Sequence, residues 1–191
     1  MTQSSTSARS GGSLRKGDSA ARRTRMREFQ TQLLERMQAA KSGTEARISQ
    51  LGVVVGSQRW LLDLTEASEI VSVSTITQVP LTQDWYLGLS NIRGNLISVI
   101  DFARFQGLPA TPINSESRII AFAPALQFNS GLLVSRVLGL RNIMEMELLP
   151  ELEPAEQPWV THRFRDRDAQ VWQQLDLSLV VQDTRFLHVG L

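Results

Sequence analysis

Residues 79–109 read VPLTQDWYLGLSNIRGNLISVIDFARFQGLP. The pair Arg93-Gly94 interrupts two apolar runs, and a glycine at such a point marks a tight reversal with positive φ, a region glycine enters without steric cost. The reversal joins two strands, Tyr86 to Ile92 on one side and Leu96, Ile97, Val99, Ile100 and Phe102 on the other. The second strand is apolar on both faces except at Ser98 and Asp101, so it needs cover on both faces. An aspartate closing such a strand accepts hydrogen bonds from the amides of the next turn, which assigns Asp101 a structural part.

Outward from this hairpin, Ile48, Leu51, residues 53–55 and residues 60–64 form short apolar runs broken at Gly56-Ser57, the pattern of a sheet sandwich or barrel. The chain also echoes itself. Residues 60–71 align with 131–143, starting at a shift of 71, and residues 95–105 align with 170–180 at a shift of 75. A four-residue loop insertion absorbs the difference and makes Asp176 the counterpart of Asp101. This order predicts two similar small barrels, with a linker at Pro109 to Pro112, a boundary near 109–117, and a long acidic loop over 144–158 that carries three prolines.

Before residue 45 the pattern differs. Met26, Phe29, Leu33 and Met37 recur at helical spacing, and Lys41 and Gly43 mark a helix end, which predicts one amphipathic helix over 22–42 behind a basic flexible leader at 1–21. Residues 1–27 hold seven basic side chains against Asp18, a charge of +6, so the rest of the chain sums to −5. A basic arm on an acidic body suits nucleic acid or anionic lipid. No aromatic residue lies among those arginines to stack on a base, so the arm reads as a solvated leader and a nucleic-acid-binding barrel is the alternative.

With 42% apolar residues, 191 positions hold one good core or two small ones. The absence of cysteine excludes disulfides and thiolate metal sites. No run reaches the roughly 20 apolar residues that span a bilayer, which predicts a cytoplasmic protein. Catalytic, metal and cofactor residues are expected to be none. His162, in a charged loop-like stretch, and His188, near the end, pair with no Gly-x-Ser-x-Gly elbow, and no phosphate-cradling glycine loop follows a strand.

Pro80, Gly88, Asn91, Arg93, Gly94 and Asp101 fall on a pattern that resembles the CheW-like adaptor family of bacterial chemosensory arrays. The likeness extends to the opening strands in 48–73, the strands in 118–143 around Gly131-Leu132-Leu133-Val134, and a closing strand in 170–181, and so defines a domain over 45–187. Within the family, the long N-terminal extension and the ending Arg185-Phe186-Leu187-His188-Val189 are similar to the adaptors of type IV pilus twitching motility.

The resemblance implies a mainly β fold of two SH3-like five-stranded barrels and a non-enzymatic adaptor. Such an adaptor links a methyl-accepting chemoreceptor of the pilus type to the regulatory domain of a CheA-like histidine kinase. It is recruited to membrane receptor arrays without inserting into the membrane or binding nucleic acid. Partner contact is implied at Asn91, Arg93, Leu96, Ile97 and Val99, with Gly88, Gly94, Asp101 and Asp176 as turn and strand-end residues. Two positions depart from the family pattern: Ser98 stands where many members carry proline, and Ser135 where many carry aspartate.

Overall fold

The computed structural model describes residues 49–150 and 157–191. The leader expected at 1–21 and the amphipathic helix expected at 22–42 lie outside the described residues. The chain runs through β1 (Ser49–Val55), β2 (Gln58–Asp63), β3 (Ala67–Ser72), β4 (Tyr86–Ile92), β5 (Asn95–Asp101), α1 (Phe102–Phe105), β6 (Arg118–Phe122), β7 (Ser130–Val134) and β8 (Arg136–Asn142). It continues through β9 (Glu147–Leu148), β10 (Val160–Arg165), β11 (Val171–Leu175), α2 (Leu177–Val180) and α3 (Thr184–Leu187).

The strands make two mixed sheets, six-stranded in the order β8-β1-β2-β11-β10-β9 and five-stranded in the order β3-β6-β7-β5-β4. The six-stranded sheet exceeds the expected five because β9 adds to the edge strand β10. If β9 is set aside, the two orders superpose on each other with β1, β2, β3, β4 and β5 matching β6, β7, β8, β10 and β11. The internal echo therefore has a structural counterpart, down to the parallel pairs β5 with β7 and β11 with β2.

The two halves also exchange strands. β1 and β2 lie in the six-stranded sheet while β3, β4 and β5 lie in the other; β6 and β7 stay there, and β8 to β11 return. The boundary near 109–117 thus separates the repeats along the chain but not the sheets, since β5 and β6 on either side of it share one sheet. Each sheet is completed only by both halves, so their hydrophobic faces are buried together.

The main core lies between the sheets and gathers Trp60, Leu62, Ile100, Phe102, Leu132, Leu175 and Phe186. A second cluster, with Ile92, Ile97, Val99, Ile119 and Leu133, covers the other face of the five-stranded sheet. A third, built on Leu61, Phe164 and Trp172, covers the other face of the six-stranded sheet. Alternation along β5 sends Ile97 and Val99 into the second cluster and Ile100 into the main core, the two-sided cover its apolar sequence requires.

Two stretches depart from the sequence expectation. The residues around His162 are β10 rather than loop, because Phe164 pairs with Trp172 of β11 and anchors an otherwise charged segment. The acidic region begins not as loop but with a 3₁₀ turn at Ile143–Glu145, fixed by the Asn142 side chain accepting from the Met144 N–H at 3.0 Å, followed by β9.

Candidate functional site

The hairpin of β4 and β5 ends in a two-residue turn in which both Arg93 (φ 51°) and Gly94 (φ 89°) are left-handed. Positive φ at both central positions is the geometry whose twist matches paired strands, and Gly94 meets it without strain. Arg93 also adopts it, which its sequence did not signal. The Asn91 side chain accepts from the Gly94 N–H at 2.8 Å and steadies the reversal.

Asn91, Arg93 and Leu96 are exposed together at this tip, Leu96 to 57%. Ile97 and Val99, implied as partner contacts, are instead 6% and 0% exposed. Their face of β5 is the one turned into the second cluster, which removes them from any surface.

Arg93 finds a carboxylate within its own chain. Its Nε lies 3.2 Å from Oε2 of Glu69 on β3. β3 and β4 occupy opposite ends of the five-strand order, so this ion pair, together with Thr77 exchanging both backbone hydrogen bonds with Leu89 of β4 at 2.8 Å, closes the sheet on itself. Gly88 makes that closure possible. It sits at φ 128°, and a Cβ there would lie 2.1 Å from the Thr77 carbonyl oxygen.

Behind the hairpin, Asp101 is 1% exposed and caps α1. Its carboxylate accepts from the N–H groups of Ala103 and Arg104 at 3.1 and 3.4 Å and from the Thr111 N–H and hydroxyl at 2.9 and 2.8 Å. Asp176 caps α2 in the same way, accepting from Leu179 N–H at 3.0 Å and from the Ser178 hydroxyl. Glu66, in the β2–β3 turn, adds a second carboxylate there, accepting from the N–H groups of Leu177 and Ser178 at 2.9 and 3.0 Å. Burial pushes the Glu66 carboxyl above its ordinary range, and the nearby Asp176 charge adds to this, against the lowering effect of the two N–H donors.

Ser98 uses the donor that a proline would lack: its N–H bonds to the Asn129 carbonyl at 2.8 Å, and its hydroxyl pairs with that of Tyr86 at 3.0 Å. The Ser135 N–H, between β7 and β8, bonds to the Val54 carbonyl at 2.8 Å and ties that junction to β1. Glu69, Glu66 and Thr111 went unmarked in the sequence, because each acts through a residue distant along the chain and none belongs to a local pattern.

Among the described residues, no three His, Asp or Glu side chains group as a metal site, and no helix is long and apolar enough to cross a membrane. What the geometry presents is a double-sheet scaffold with an exposed hairpin tip at Asn91, Arg93 and Leu96.

The CheW-like domain family matches residues 49–185, and the chain belongs to that family. It is similar to the protein PilI of Pseudomonas aeruginosa, 28% identical over 145 residues that cover 74% of this chain and 80% of PilI. It is also similar to the chemotaxis protein CheW of Helicobacter pylori, 25% identical over 62% of this chain and 74% of that protein. Its fold is shared with the scaffolding protein TtCheW of Thermoanaerobacter tengcongensis at a TM-score of 0.57 and 24% identity, over 68% of this chain and 84% of that one.

Proposed function

We propose that this protein is a non-enzymatic coupling adaptor of a chemosensory complex, joining a methyl-accepting receptor to the regulatory domain of a CheA-like histidine kinase, in the cytoplasm beneath membrane receptor arrays. The observation that carries the reading is the CheW-like match across residues 49–185, supported by likeness to proteins named for chemotaxis and to a scaffold. Similarity to PilI supports the type IV pilus branch and hence an output in twitching motility. Each sheet with its own small cluster makes one of two SH3-like barrels, and the surface seam where they meet, outside the shared core, is the receptor's seat. The exposed tip at Asn91, Arg93 and Leu96 faces the kinase.

An adaptor without chemistry changes kinase output only through unequal affinity for the kinase's states. The rigid two-sheet core transmits that preference as a body rather than through a moving loop. The test is titration calorimetry of the purified protein against a kinase regulatory domain and, separately, a receptor tip hairpin. Saturable binding of both, with one not displacing the other, is expected; failure to bind either overturns the reading.

A further inference from the structure

The described body leaves an apolar lip where the chain enters it. Ser49, the first residue of β1, lies opposite Asn142 at the end of β8. The chain from Asn142 turns at once through Ile143–Glu145 and on to Leu148, leaving Met144 74% and Leu148 59% exposed, while Ile143 and Met146 rest on the Phe164 and Trp172 cluster. Beside the lip lies a cleft of about 330 Å³ lined by Arg141, Asn142, Glu145, Met146, Asp166 and Asp168.

The Trp172 ring underlies this corner. Its indole N–H donates to Asp166 at 2.8 Å, and the Arg141 guanidinium stacks over it at 5.1 Å. Gly52 of β1 permits that stack, since a Cβ there would meet the Trp172 ring at 3.0 Å and the Arg141 stem at 3.1 Å. The corner is thus a built surface, apolar at the lip and carrying acids at the cleft.

We propose that residues 22–42 of this same chain dock on the Met144 and Leu148 lip. Three observations select that occupant. The segment is tethered at the site, because the six residues 43–48 separate it from Ser49 and reach up to about 20 Å, so no long excursion is required. Its apolar stripe of Met26, Phe29, Leu33 and Met37 matches a lip made largely of methionine and leucine, side chains that fill irregular contact. It carries six basic residues against two acidic, and the cleft presents Glu145, Asp166 and Asp168 against Arg141 and Arg167. Arg167 is already paired with Glu145 at 3.2 Å, and Asp166 is engaged by the Trp172 indole, by the N–H groups of Asp168 and Gln170 and by the Arg141 charge, which leaves Asp168 as the acid nearest an incoming arginine.

Docked there, the segment covers the connection from β8 to β9, the strands at the two ends of the six-strand order, and shields those edges from pairing with other chains.

The absence of cysteine allows a direct test in the full-length chain. Met144→Cys is labelled with a thiol reagent in the otherwise native protein and in a background carrying Phe29→Asp and Leu33→Asp. Labelling about fivefold faster in that background, at a rate independent of protein concentration, is the expected result. Leu81→Cys, on the connection between β3 and β4, serves as control and labels equally in both. An unchanged Met144→Cys rate overturns the proposal, as does equal acceleration at both cysteines. Protection that rises with protein concentration also overturns it and identifies a second copy as the occupant.

Discussion

Arg93, in the turn that closes β4, and Glu69 on β3 lie 3.2 Å apart although β3 and β4 stand at opposite ends of the five-strand order. The residue that the family resemblance assigns to partner contact is therefore also the clasp of its own sheet. These two roles have separable consequences. A half-exposed ion pair contributes at most about 1 kcal/mol, so losing it leaves the fold standing. A partner's carboxylate competing for the same guanidinium depends on its charge wholly.

A charge-swap series distinguishes the clasp from the contact. Arg93→Glu is expected to lower stability by no more than about 1 kcal/mol in a thermal or urea melt. The exchange Arg93→Glu with Glu69→Arg restores most of that loss. Binding to the kinase regulatory domain, measured by calorimetry, falls in the single variant and stays low in the exchange, because the surface charge remains reversed. Binding restored along with stability would make Arg93 structural only.

Gly88 and Gly94 both have positive φ but differ in surroundings, and two alanine substitutions separate strain from collision. Gly94→Ala adds a methyl to open space and costs only the backbone term, about 1 kcal/mol. Gly88→Ala drives a Cβ into the Thr77 carbonyl and breaks the bridge to Leu89, and a cost above about 3 kcal/mol is expected. Urea melts giving equal losses would show that the Thr77 bridge yields easily.

Glu66 sets a pH dependence of definite sign. Burial raises its folded-state pKa above the ordinary 4.5, so the folded protein holds the proton longer than the unfolded chain. Its contribution is fully present below pH about 4.5 and is lost as pH rises through the folded value. Glu66→Gln removes the titration. The stability of the native protein minus that of the variant, from urea melts at several pH values, should fall as pH rises from about 4.5 and then level off. A difference that grows with pH would mean that the N–H groups of Leu177 and Ser178 outweigh burial.

The strands were legible where alternation and glycine act locally, as in β4 and β5 around Gly94. The repeat was legible too, because Asp101 and Asp176 end strands of like pattern and each caps a four-residue helix. The exchange of strands between halves was not. β3 and β8 carry nothing in their own residues that says which sheet they join, since that choice is made by burial against the partner half. β10 escaped notice for a related reason: His162, Arg163 and Arg165 hide the one residue, Phe164, that anchors it. At the hairpin tip, Arg93 was visible as an unusual charge beside a turn, but its clasp with Glu69 spans 24 positions and leaves no local trace.

The coupling itself is the most direct measurement. Kinase autophosphorylation is followed in membranes containing receptor, with kinase and with or without this protein, and then with Arg93→Glu in its place. Kinase activity is expected to respond to the receptor only when the native protein is present, and Arg93→Glu is expected to reduce that response while remaining folded. A kinase that responds equally without this protein would show that the protein does not couple the two.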